Sequence, residues 1–173
     1  MGWQILALHS AQRTGFQIPD ELKRKADAYL STVSTGTYGM LAGYITPIPT
    51  STMTAEAAFT RMLMDQQLSP EQLDEAASYV LRKPPAKDNL NYYNIYYGSL
   101  ALMQMQGASW TRWNQITSRL LLNMQESTGP NAGSWNPEDS EWGNRGGRIY
   151  STTLATLTLE VYYRYLPMYS PKK

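Results

Sequence analysis

The chain of 173 residues contains no cysteine and one histidine. Without cysteine there can be no disulfide, thiolate metal site or cysteine nucleophile. Compartment does not follow, because exported proteins also lack cysteine. An excess of charge of one sign is missing too: Lys plus Arg is 15 and Asp plus Glu is 14, a net charge of +1. That removes the electrostatic ground for a nucleic-acid partner, which needs a basic patch for the phosphates. Charged residues make up 17% of the chain, below the ~25% of an average domain. No apolar run approaches the ~18 residues of a membrane helix, so no membrane span is expected. The opening Met1-Gly2-Trp3-Gln4-Ile5-Leu6 lacks the basic region of a signal peptide, and Leu6 stands where a myristoylation signal wants Ser or Thr. No glycine-rich phosphate loop follows a strand, and no Ser-His-Asp set can be assembled. No cofactor is expected.

What is present favours a folded, single-domain protein spanning 1–173. Hydrophobic residues are 42% of the chain, and a chain near this length buries roughly 68–70% of its unfolded surface. The aromatic residues are skewed: Tyr 13 and Trp 5 against Phe 2. Tyr and Trp join an apolar body to a polar tip. They suit pocket walls and equally suit a core whose polar tips find partners.

Apolar spacing is helical almost throughout and predicts an all-α fold of roughly seven helices, with no convincing period-2 strand. Helices are expected over 3–15, from Pro19 to about Val33, and over 54–68, 70–81, 91–105, 109–124 and 149–165. Ser69-Pro70-Glu71-Gln72 reads as a capping box with proline at the first helical position. Segments 34–50 and 127–147 are rich in Gly and Pro and read as irregular. The second, fourth and sixth helices have one apolar stripe and charged backs. The third, fifth and seventh are aromatic, small or apolar on several faces. This alternation suits paired helices with one member inside and one outside. A weak repeat accompanies it. An offset of 51 matches Pro19 with Pro70, Leu22 with Leu73, Ala26 with Ala77 and Leu30 with Leu81; an offset of 40 matches Leu73 with Trp113 and Leu81 with Leu121.

Three stretches carry a resemblance to a known family. They are Gly2-Trp3-Gln4 with Ala7 and Ala11, Asn91-Tyr92-Tyr93-Asn94-Ile95-Tyr96-Tyr97-Gly98-Ser99-Leu100-Ala101, and Gly133-Ser134-Trp135 through Gly146-Gly147-Arg148-Ile149-Tyr150 to Ala155. Together they resemble bacterial proteins with prenyltransferase and squalene-cyclase repeats. Gln125 followed by Gly133-Ser134-Trp135 is similar to a stretched Gln…Gly-x-Trp signature of squalene cyclases. The resemblance implies an α/α toroid, in which inner helices ring a cavity and outer helices surround them. About twelve helices complete such a ring, against roughly seven here. An open or partial ring, a piece of a longer chain, or one side of a homo-oligomer would each account for the difference.

The family's catalytic residues do not carry over. Thr52-Met53-Thr54-Ala55-Glu56 faintly resembles the Asp-Cys-Thr-Ala-Glu motif of lanosterol-type cyclases, with Thr52 in the place of the acid. A threonine cannot protonate an alkene. The zinc site of protein prenyltransferases needs Cys and His, and only His9 is present. The resemblance therefore implies a non-catalytic helical-repeat module that binds a protein partner or an apolar ligand on an aromatic inner face. Two alternatives stand beside it: an isoprenoid cyclase whose acid lies outside this chain, and a carbohydrate-acting toroid enzyme.

The ligand-binding candidates are Tyr92, Tyr93, Tyr96, Tyr97, Trp135, Trp142 and Arg148. Tyr92 with Tyr96, and Tyr93 with Tyr97, sit four apart and form two adjacent aromatic ridges on a helix. They read as a cavity wall for an apolar or carbohydrate ligand, or as helix packing, which is the commoner fate of a single ring. Tyr162, Tyr163 and Tyr165 admit the same two readings. The loop Trp135-Asn136-Pro137-Glu138-Asp139-Ser140-Glu141-Trp142 joins two Trp to three carboxylates. It could present an acid or base beside a sugar platform or oxygen ligands to calcium; a solvated loop pinned by its Trp residues is the simpler account. Arg145 and Arg148 could hold an anion at a helix start or pair with nearby carboxylates.

Overall fold

The computed structural model describes residues 1–164, which are almost entirely helical. The helices are α1 (Gly2–Arg13), α2 (Asp20–Val33), α3 (Ser51–Leu63), α4 (Pro70–Leu81), α5 (Tyr92–Met105), α6 (Gly107–Met124), α7 (Gly143–Leu159) and α8 (Val161–Arg164). The all-α expectation holds. Tyr165, where the seventh helix was expected to end, lies outside the described residues. No helix among the described residues is long and apolar enough to cross a membrane. By its contacts the chain divides into two compact units, Met1–Val80 and Leu81–Lys173.

In the first unit α3 packs against α1, and buries its residues from Ala57 to Leu63 without interruption. It starts three residues earlier than the apolar pattern predicts, because the Thr50 hydroxyl caps it by accepting from the Met53 N–H at 3.1 Å. The capping box at α4 forms as read. The Ser69 N–H donates to Gln72 Oε1 at 3.0 Å and the Gln72 N–H to Ser69 Oγ at 3.3 Å. The irregular segment contains one feature that periodicity could not reveal, a two-residue antiparallel pair of β1 (Ser34–Thr35) and β2 (Leu41–Ala42). Strands this short carry no readable alternation.

From Ala28 to Ala55 no side chain is charged. The hairpin is held by charges from elsewhere. Both oxygens of the Glu75 carboxylate, on α4, accept the Tyr38 N–H at 3.1 Å, and Oε2 also accepts the Met40 N–H at 2.9 Å. Arg61 of α3 is buried and donates to Ser34 Oγ at 2.6 Å; Ser34 Oγ in turn donates to Leu30 O, also at 2.6 Å. Its charge therefore sits at the C-terminal end of α2, where the helix dipole favours a cation. Burial lowers the Arg61 pKa, and the charge of Asp27 opposes that.

In the second unit α5 is the most deeply buried helix and packs against α6, α7 and α8. Its contact with α6 is unusually close. Gly98 lies under the Trp113 ring, such that a Cβ there would sit 2.3 Å from Trp113 Cζ2. Trp113 is fully buried, and its Nε1 donates to Ser99 Oγ at 2.9 Å. Gly147, at φ 69, interrupts the helical backbone within the span of α7, a conformation that suits glycine, so the helix that follows it begins close to the predicted start at Ile149. Nor is α7 apolar all round in its exposure: Ile149 is 83% exposed while Leu154 and Ala155 are buried.

Replacing Gly98 with Ala should cost about 1–3 kcal/mol by overpacking against the indole. Urea unfolding measures this. A cost below about 0.5 kcal/mol would mean that the Trp113 ring moves aside freely.

Candidate functional site

The 135–142 loop and the tyrosine-rich helix meet through one side chain. Asn91 caps α5: its Oδ1 accepts the Asn94 N–H at 2.9 Å. Its Nδ2 donates to Glu141 Oε2 at 2.7 Å. The Glu141 N–H donates to Leu90 O at 3.1 Å. A 3-10 turn over Pro137–Asp139 shapes the loop, started by Asn136, whose Oδ1 accepts the Glu138 N–H at 3.2 Å. Asp139, Ser140 and Glu141 are thereby held at the beginning of α5.

Two hydroxyls in this corner are buried with no hydrogen-bond partner among the described residues, Tyr92 Oη and Ser140 Oγ. Tyr92 is 1% exposed and Ser140 7%. Burial pushes the Tyr92 phenol well above its ordinary range, and the Asp139 charge pushes it further. Tyr92 is thus a protonated donor close enough to Asp139 to feel its field. Tyr150 of α7 is half-buried nearby; burial and then Glu141 raise its pKa, while a hydrogen bond with the Tyr93 backbone opposes the rise. Asn94 Oδ1 is also buried without a partner, but residues two apart on a helix do not share a face, so it belongs to a different side of α5.

The other sequence candidates differ in burial and in the partners they meet. Tyr96 and Tyr97 are buried, their rings 5.4 Å apart and edge-on, and Tyr93 leans on Tyr97 at 4.9 Å. Trp135 is 2% exposed. Its Nε1 donates to Leu121 O at 2.8 Å, and its backbone bridges to Gln125, so it closes the end of α6. Arg148 Nη1 donates to Glu126 Oε1 at 2.5 Å and to Ser134 Oγ at 2.9 Å; an anion there would have to displace Glu126. Trp142 is 43% exposed, with the Arg145 guanidinium 5.3 Å from its ring centroid. Tyr162 and Tyr163 are exposed and lie 4.2 Å apart. No group of three or more His, Cys, Asp or Glu among the described residues could hold a metal ion.

Of the seven candidates, Tyr92 and Tyr93 fall at this corner, and Trp142 follows Glu141 in the chain with its ring against Arg145. Asn91, Ser140 and Tyr150 belong to it as well and were missed. Asn91 was legible as a capping residue before a helix; the placement of Ser140 and Tyr150 depends on long-range contact. Chemically, the corner offers a phenol donor, a free hydroxyl and two carboxylate acceptors.

The raised Tyr92 and Tyr150 pKa values fix a pH dependence. A phenol whose folded pKa lies above its unfolded value, ~10, contributes stability that is complete below that pH and lost as pH rises through the folded value. Unfolding followed by circular dichroism should therefore show stability falling above about pH 10, and Tyr92→Phe should make that fall shallower. An equal fall in the variant would exclude Tyr92 as its source.

No description of a protein family, no curated protein and no solved structure was found to match this chain.

Proposed function

We propose that the chain is a non-catalytic helical module, of the squalene-cyclase and prenyltransferase-repeat type that its sequence resembles, and that it binds a small polar ligand where α5 meets the 135–142 loop. The observation that carries this reading is the bond from Asn91 Nδ2 to Glu141 Oε2, with a buried, unpartnered hydroxyl in each of the two segments it joins, Tyr92 Oη and Ser140 Oγ. An unsatisfied buried hydroxyl costs about 1–3 kcal/mol, and a ligand's polar groups would remove that cost once the corner opened, since both oxygens are sealed from solvent. An apolar ligand would not. The absence of a cyclase acid supports a binding role: Thr52 stands in its place, and Glu56 accepts the Gly2 N–H at 2.7 Å.

A second reading, self-association, has its own support in the first unit. Tyr44, Ile45 and Ile48 are 71%, 76% and 73% exposed. They lie on a loop that is firmly tethered: Thr50 N–H to Ala42 O at 3.0 Å, Tyr29 Oη to Tyr44 O at 3.0 Å and Tyr79 Oη to Pro49 O at 2.9 Å. Apolar side chains displayed on a fixed loop are the usual make-up of a contact surface.

The ligand reading makes a prediction that needs no ligand in hand. In the isolated protein Tyr92→Phe and Ser140→Ala should leave the melting temperature unchanged or raise it, because each deletes an unsatisfied group. A drop worth more than about 1 kcal/mol in both variants would show that these hydroxyls hold the fold together and would overturn the binding site. For self-association, Ile45→Ser with Ile48→Ser should leave melting unchanged and abolish any concentration-dependent sedimentation. Sedimentation identical to the parent's would end that reading.

A further inference from the structure

The corner where α1 turns into α2 is lightly held. Of the 12 residues of α1 only Gly2 and Ile5 are buried. Its first turn is fastened by Glu56 of α3, which accepts the Gly2 N–H at 2.7 Å. α2 buries Ala26, Leu30 and Val33, all towards its far end. Between these anchors the two helices border a narrow cleft of about 20 Å³. Its walls are Ile5 and Leu8 of α1, Ile18 of the turn, Leu22 of α2, and Leu63 and Met64 where α3 ends. His9, the one histidine of the chain, lines this cleft, and so does Lys23 of α2. Arg13 follows His9 by four residues and shares its face of α1. Asp65, just beyond α3, offsets the two cations in part, and Lys23 Nζ lies 3.5 Å from its Oδ2. Ile18, Leu63 and Met64 bring no charge from the turn or from the end of α3. A neutral imidazole sits in such a place at little cost. Its cation would stand beside two others, with apolar walls in place of part of its water. Burial first, and Arg13 next, hold the His9 pKa below its ordinary value; Asp65 opposes them and Lys23 adds to them.

We propose that His9 is a proton-operated latch: neutral, it lets the α1–α2 corner close on the end of α3, and protonated, it frees that corner while Glu56 keeps hold of the first turn of α1. A histidine that takes its proton more readily in the open form stabilises closure in full above ~6.5. That contribution is lost as pH falls through and below this value. Opening uncovers Leu63 and Met64, both buried in the closed form. The far half of α2 and the Glu56 anchor carry no part of the change, so the rest of the unit stays folded.

The test uses the full chain. One histidine gives one imidazole signal, so proton NMR follows His9 directly. Its midpoint should lie below ~6.5 and should rise in Lys23→Met, which removes a cation and releases Asp65. Amide exchange over residues 6–18, corrected for the intrinsic effect of pH, should quicken at least about tenfold between about pH 7.5 and about pH 5. Exchange in α4 should stay level. His9→Gln, which cannot take the proton, should abolish the change. A midpoint at or above ~6.5, or the same quickening in His9→Gln, would overturn the latch. So would full protection of residues 6–18 once the imidazole signal shows His9 protonated. Should His9→Gln fail to fold, Lys23→Met decides: the pH at which exchange quickens must follow the shifted midpoint, and a pH that stays put overturns the proposal.

Discussion

Asn91 performs two jobs with the two ends of one amide, and the second unit's candidate site depends on it. Its oxygen satisfies the N–H of Asn94 at the start of α5, and its nitrogen holds Glu141 fifty residues later in the chain. A capping side chain normally has its remaining valence in water. Here it is spent on the loop, so the position of Glu141 is tied to the first turn of the most buried helix in the unit. Aspartate could cap as well, but it has no donor for Glu141 and would set two carboxylates against each other. Serine could cap but could not reach.

The aromatic residues show why the corner stands apart. Nearly every Tyr or Trp whose hydrogen bond is described sends its polar tip to a protein oxygen. Trp113 donates to Ser99, Trp135 to Leu121 O, Tyr79 to Pro49 O and Tyr29 to Tyr44 O. Tyr29 apart, a ring is buried or half-buried in each case at little polar cost, which is what a Tyr- and Trp-rich composition achieves when Phe is scarce. Tyr92 breaks this pattern. It is as buried as Trp113, yet its hydroxyl has no partner among the described residues. Phenylalanine would pack there without the penalty, so the hydroxyl has a cost that packing alone does not explain.

Much of the helical frame was legible from residues that act locally. Ser69 with Gln72, Pro70 at the first turn and Asn91 before the tyrosine run are contained within four residues, and the structure uses the box as read. The paired stripes of α2 and α4 were legible in the same way: Ala26 and Ala77, matched by the repeat, are both buried. What was not legible is long-range. Periodicity does not tell that Glu75 gathers the N–H groups of Tyr38 and Met40, or that Arg61 serves the end of α2 through Ser34. The aromatic ridges of α5 were visible, but whether a ring faces a cavity or a neighbouring helix depends on what packs on it. Of the candidate site, the acidic loop and Tyr92 were each visible alone; their juxtaposition was not.

The uncharged stretch from Ala28 to Ala55 has a consequence for the first unit. A segment without charges cannot fix its own shape by ion pairs, and a two-residue strand pair contributes little. Much of its order is imported: Glu75 supplies acceptors to one turn, Arg61 supplies donors at its base, and Tyr79 fastens the 44–49 loop at the Pro49 carbonyl, while Tyr29 holds the Tyr44 carbonyl from within the stretch. These contacts go to the backbone, to Ser34 or to Met40 Sδ, and none of them goes to the side chains of Tyr44, Ile45 or Ile48. The loop's course is therefore set independently of what it displays. Such a segment can change its exposed side chains at little cost to folding, which is the physical condition for a contact surface to specialise while the helices beneath it stay the same.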